Sequence, residues 1–211
     1  MGYGNQQLTS ELDSRIDSII ELCGQLATPK YMYTWFEPEL KDGVVHLGGI
    51  VLTGKDIHRH LSSCEYCVVL AVTAGMGVER ELLRLQRVSM TDAVIFDACA
   101  NAYVESMADY VESLIVSDAR QKGMYTNYRY SPGYGDFPIQ AQLDIIPALG
   151  CEKKIGLTVT DNAIMIPHKS VTAIIGVFAD KPECIPHNCE NCNMYDKCNI
   201  RKVGGKCDRQ K

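Results

Sequence analysis

The chain has 211 residues, 46% of them hydrophobic and 22% charged, with a net charge of −5 and a pI near 5.5. That is the composition of one globular domain with room for a small appendage, and its acidic balance argues against nucleic acid as the main partner. No apolar run approaches the ~18 residues of a membrane helix, and the N-terminus shows neither a basic stretch nor an apolar one, so the expectation is a cytoplasmic protein without a signal peptide and with no membrane partner.

In chain order, Ser10 is placed to cap a helix over 11–26, where Leu12, Ile16, Ile19, Ile20, Cys23 and Leu26 share a face and Thr28-Pro29 ends the run. Residues 31–36 are aromatic and strand-like. Lys41-Asp42-Gly43 is a turn, and 44–52 a second strand bent at Gly48-Gly49. A short helix follows over 55–63. The continuous apolar run 67–73 has the length of a strand buried on both faces. Ala74-Gly75-Met76-Gly77 then turns the chain into a helix over 78–88. The next helix, 91–121, contains no proline, and its apolar stripe includes Ala93, Val94, Phe96, Ala100, Val104, Val111 and Ile115. A stripe that wide predicts a central, mostly buried helix, with Gly123 as its stop.

Residues 139–149 read as helical, although Pro147 disfavours the last turn. Residues 154–160 and 170–178 read as strands, with a turn at Asp161-Asn162 between them. Strands joined by short turns, with helices grouped in the middle, predict an α+β domain around a largely antiparallel sheet. From Asp180 onward the composition shifts to Cys, Pro, Asn and Lys. That shift divides the chain into a domain over 1–179 and a Cys-rich tail over 180–211.

Five of the ten cysteines crowd into that tail as Cys184-x4-Cys189-x2-Cys192-x5-Cys198-x8-Cys207. In a reducing compartment such clustering favours a metal over disulfides. Cys184, Cys189, Cys192 and Cys198 are the candidate ligands of an iron–sulfur cluster or zinc. Cys64-x2-Cys67 has apolar flanks and reads as two buried thiols. Gly75-x-Gly77 lacks the remainder of a dinucleotide fingerprint and reads as a tight turn. His58-x-His60 reads as a solvated helix face, and His168 as a turn residue. No hydrolase, kinase or Walker motif is present.

The most informative stretch is Arg129-Tyr130-Ser131-Pro132-Gly133-Tyr134-Gly135-Asp136-Phe137. It brings a permanent cation, three aromatic rings and stiff turn residues together. The plain reading is a packed surface loop. The sharper one is a grip for an anionic, partly apolar small molecule, with Arg129 forking onto a carboxylate.

At Arg129-x-x-x-Gly133-Tyr134 the sequence resembles the S-adenosylmethionine-binding Arg-x-x-x-Gly-Tyr motif of the reactivation domain of cobalamin-dependent methionine synthase. The similarity extends to the helix carrying Asp97 through Tyr110, to 54–75 and to 165–176, and spans roughly residues 30–178. It implies a helmet- or C-shaped α+β domain around a twisted antiparallel sheet. It also implies a stand-alone protein that reactivates a corrinoid methyltransferase or a split methionine synthase in trans, with S-adenosylmethionine donating a methyl group to reduced cobalt. Flavodoxin or ferredoxin is the kind of electron donor implied.

On this resemblance Arg129 binds the methionyl carboxylate, the Ser131 backbone contacts the ligand, Gly133 shapes the turn, Tyr134 lines the pocket and Glu105 contacts the ligand from its helix. Asp42 and Asp56 are the candidates for the family's N-terminal acidic contact. Gly135 departs from a Pro common in the fused enzymes. The rival readings are a metal-stabilised docking module and an iron–sulfur electron carrier for a corrinoid protein.

Overall fold

The computed structural model describes residues 9–182. Helix α1 (Ser10–Leu26) is capped by Thr9, whose hydroxyl accepts from the Leu12 N–H at 3.3 Å. Ser10, the expected cap, is the first helical residue. Strand β1 (Lys30–Phe36) follows, then three short strands, β2 (Glu39–Lys41), β3 (Val44–Leu47) and β4 (Ile50–Leu52), paired antiparallel in that order. The expected bent strand over 44–52 is thus a hairpin. Gly48-Gly49 reverses the chain, so Val45 and Leu47 face Leu52 and Ile50 across the pair.

Helix α2 (Lys55–His60) leads into β5 (Tyr66–Thr73), α3 (Met76–Val88) and the long α4 (Met90–Gln121). After α4 come β6 (Tyr125–Thr126), a 3-10 turn at Ile139–Ala141, α5 (Gln142–Leu149), α6 (Cys151–Ile155), β7 (Thr158–Val159), β8 (Met165–Ile166) and β9 (Ser170–Phe178). The strand expected over 154–160 survives only as β7. Gly150 and Gly156, at φ +67° and +71°, bracket a helix there instead. Pro147 sits inside α5 without ending it.

The main sheet has the order β1-β5-β9-β6 and is antiparallel throughout. The central strand β5 is buried on both faces, as its unbroken apolar run predicts. Val68, Leu70 and Val72 join α1, α3 and α4 in one core, while Cys67, Val69 and Ala71 join the β3–β4 hairpin, α2, α5 and α6 in the other. On α4 the buried residues Ala93, Phe96, Ala100, Val104, Ala108, Val111, Ile115 and Ala119 make one stripe with small residues at its centre. Val94 and, on α1, Ile20 fall outside the buried faces, at 49% and 52% exposure. Polar ties pin α4 along its length. Lys169 reaches Asp97 (2.6 Å) and Asn101 (2.8 Å), and the Tyr33 hydroxyl donates to Asp118 (2.7 Å).

Candidate functional site

Beyond α4 the chain runs along the open edge of β9 and changes register there. Tyr125 and Thr126 stand opposite Phe178 and Val177, whereas Tyr130 stands opposite Ile174. Three residues of the edge therefore face two of β9, and the surplus residue forms a bulge. Asn127 stabilises it. Its side-chain oxygen accepts from the Gly176 N–H at 2.7 Å, and its amide nitrogen donates to the His60 carbonyl at 2.8 Å.

Tyr130 and Ile174 exchange both backbone hydrogen bonds, each 2.9 Å. In such a pair the flanking residues, Arg129 and Ser131, turn their own N–H and C=O groups away from β9. Side chains alternate along the same edge. Tyr128 and Tyr130 lie against the His60 ring of α2, with centroids 4.8 and 5.2 Å away. Arg129 faces the other way, onto α4.

There the guanidinium meets three carboxylates on successive turns. Nε is 2.8 Å from Glu112, Nη2 is 2.5 Å from Asp109, and Nη2 is 3.7 Å from Glu105. The Arg129 side chain is only 18% exposed and that of Glu112 26%, against 69% for Asp109 and 54% for Glu105. Burial pushes the Glu112 carboxyl above its ordinary range, although the charge, side chain and backbone N–H of Arg129 all act to lower it.

Beyond Ser131 the loop closes on itself. Gly133 N–H donates to the Phe137 carbonyl (2.8 Å), Tyr134 N–H to Ser131 (3.3 Å) and Phe137 N–H to Tyr134 (3.0 Å). Phe137 is buried and stacks on Tyr130 with centroids 6.1 Å apart. Asp136 caps α2, accepting from the Lys55 and Asp56 N–H groups at 2.7 and 2.9 Å, and Asp56 accepts in return from the Asp136 N–H at 3.3 Å. Gly135 lies at φ +56°, a region closed to proline. Burial, followed by the nearby Asp56, raises the Tyr130 hydroxyl to about 12.

The structure thus brings Arg129, Ser131 and Glu105 to one edge, with Gly133 in the turn beside them. Tyr134 sits at the tip of the loop and is 48% exposed, so the inward rings are Tyr130 and Phe137. Asp109 and Glu112 were missed by sequence reasoning. Their signal was present, because Glu105, Asp109 and Glu112 follow the i, i+4, i+7 spacing of one helix face. Asp56 is engaged at the base of the loop, and Asp42 lies in the β2–β3 turn at φ +52°.

His60 is not the solvated residue expected. It is wedged under Tyr128 and Tyr130, and burial lowers its pKa to about 4. His168 is bound through its N–H and Nδ1 to the buried Glu79, at 3.0 and 2.6 Å. The Cys64 and Cys67 thiols are both pushed up by burial, Cys64 to about 11, as fits inert core cysteines. Gly77 allows close approach of the end of α1, since a Cβ there would strike the Leu26 carbonyl.

Among the described residues, no group of three or more His, Cys, Asp or Glu is arranged to hold a metal ion. Cys184, Cys189, Cys192 and Cys198 lie outside the described residues, as does most of the proposed tail. None of the helices searched among the described residues is long and apolar enough to cross a membrane. An open depression of about 600 Å³ lies away from Arg129, between Trp35, Tyr66, Lys122, Met124 and Ala179.

The bulged, outward-facing edge beside a shielded guanidinium is the candidate site of this α+β domain. Residues 57–192 match the family model described as the vitamin B12 dependent methionine synthase activation domain. That is more than half of the chain, and the chain belongs to this family. The fold is similar to a solved structure, "Crystal Structure of the MetH Reactivation Domain bound to AdoHcy", with a TM-score of 0.61 and 15% identity over 96% of this chain and 75% of that one. At that identity the likeness concerns the fold. No curated protein matches the chain.

Proposed function

We propose that the chain binds S-adenosylmethionine at the Arg129 edge and presents its methyl group to the reduced cobalt of a corrinoid held by a separate protein, reactivating that protein in trans. The observation that carries this reading is the Arg129 guanidinium: shielded from water, anchored by Glu112, and set beside backbone groups that face outward. An amino-acid end offers a carboxylate to the guanidinium and an ammonium to Glu105, so the donor and acceptor set fits it. Membership of the activation-domain family and the likeness to a domain solved with AdoHcy support the same ligand.

The sulfonium supplies an activated methyl group and the corrinoid supplies the nucleophile. No proton need be moved by the protein, so the residues of this chain contribute binding and orientation. Ser131 offers an outward N–H, Gly133 lets the loop turn back, and Tyr134 at the exposed tip is placed to close over a ligand. We assign Cys184, Cys189, Cys192 and Cys198 to an iron–sulfur cluster or zinc. An iron–sulfur cluster there would relay an electron to the cobalt from a flavodoxin- or ferredoxin-like donor.

The test is a melting curve of the full chain with and without S-adenosylmethionine. A ligand at about 100 times its Kd stabilises the folded state by about 2.7 kcal/mol, worth roughly 5–10 °C in a domain of this size. Arg129→Ala abolishes that shift. A wild-type chain that melts at the same temperature with and without saturating ligand refutes the proposal and leaves the docking-module reading.

A further inference from the structure

The three acids around Arg129 are not equivalent, and their difference suggests how the site takes a ligand. A guanidinium offers five donors in a rigid fork, so fixing one side aims the other. Glu112 holds Nε at 2.8 Å. It does so from a position only 26% exposed. Asp109 holds Nη2 from a position 69% exposed, and Glu105 stands 3.7 Å from the same nitrogen at 54% exposure. An exposed carboxylate leaves its partner at little cost, because water takes over its solvation. A shielded one does not, because leaving the guanidinium strands its charge.

We propose that Glu112 is the positioning residue that aims the Arg129 guanidinium, and that Asp109 occupies the place on Nη2 which the carboxylate of an amino-acid ligand takes over. This rests on the reading above that Arg129 grips the amino-acid end of S-adenosylmethionine. On ligand entry the incoming carboxylate replaces Asp109 on Nη2. The displaced Asp109, already 69% exposed, turns to water, and the ligand ammonium meets Glu105. Asp109 is in this sense a built-in competitor, and the free chain never leaves the guanidinium bare.

Two neutralising substitutions on one helix face separate this from a general charge effect. Glu112→Gln and Asp109→Asn each remove one negative charge with little change of shape. Titration calorimetry of the full chain with S-adenosylhomocysteine is the readout. Wild type binds; Glu112→Gln binds roughly tenfold or more weakly, the size of a lost charge-assisted bond; Asp109→Asn binds roughly two- to fivefold more tightly, the size of an exposed ion pair. Glu112→Asp, which keeps the charge but withdraws it by one methylene, loses affinity to an intermediate degree and stands in should Glu112→Gln fail to fold. Changes of the same sign in Glu112→Gln and Asp109→Asn, or wild-type affinity in either Glu112 variant that folds, overturn the inference while leaving the proposed function intact. Absence of binding by the wild type overturns both.

Discussion

Replacing Gly135 with alanine tests how the loop is held on α2. Gly135 and Gly123 both lie at positive φ, +56° and +74°. An L side chain there costs on the order of 1 kcal/mol of backbone strain at either position. Their surroundings differ. A Cβ on Gly123 meets nothing within 4 Å, whereas one on Gly135 strikes the Asp56 carboxylate and the Tyr130 hydroxyl. Neither obstacle moves freely. Asp56 is tied to Arg59 at 2.7 Å and to the Asp136 N–H at 3.3 Å, and the Tyr130 ring is stacked on buried Phe137.

Overpacking of that kind adds about 1–3 kcal/mol. At roughly 2–4 °C per kcal/mol for a domain of this size, Gly123→Ala lowers the melting temperature by about 2–4 °C. Gly135→Ala lowers it by roughly 5–15 °C on the same scale. Differential scanning calorimetry of the two variants at one pH measures the difference. A Gly135→Ala chain melting within about a degree of Gly123→Ala would refute the tight seat assigned to this loop, since the two share the backbone strain.

His60 makes stability depend on pH. Its folded pKa, about 4, is below the ordinary 6.5 of the unfolded chain, so its contribution is complete above 6.5 and is lost as pH falls towards 4. His60→Phe flattens that part of the profile, as urea melts at pH 7 and pH 4.5 will show; an unchanged difference between the two pH values contradicts the burial of this ring. For the tail, anaerobic reconstitution with iron and sulfide should give visible absorption, or with zinc a stoichiometric load. The double variant Cys189→Ser/Cys192→Ser should lose either, and metal retained by that variant removes the C-x2-C pair from the ligand set.

The sequence by itself determined the class of fold and, through the family resemblance, pointed to a candidate site. The unbroken apolar run at 67–73 reads as a strand covered on both faces, and the proline-free apolar stripe over 91–121 as a long, mostly buried helix. Arg129, Gly133 and Tyr134 stand at a spacing that the family resemblance made legible. What the sequence left open was set by contacts between distant segments. Gly48-Gly49 permits a bend or a reversal with equal ease, and the pairing of Val45 with Leu52 and Leu47 with Ile50 makes it a reversal. Lys154 and Ile155 read as the start of a strand, and burial of Cys151 and Ile155 in the second core goes with a helix over Cys151–Ile155 instead.

The same holds at the site. Nothing local distinguishes Asp109 from Glu112, or marks His60 as buried. Those differences come from the one-residue slip between 126 and 130 along β9, which turns Arg129 onto α4 and the neighbouring tyrosines onto α2. Register is a property of two strands together, so only the assembled sheet decides which carboxylates the arginine meets.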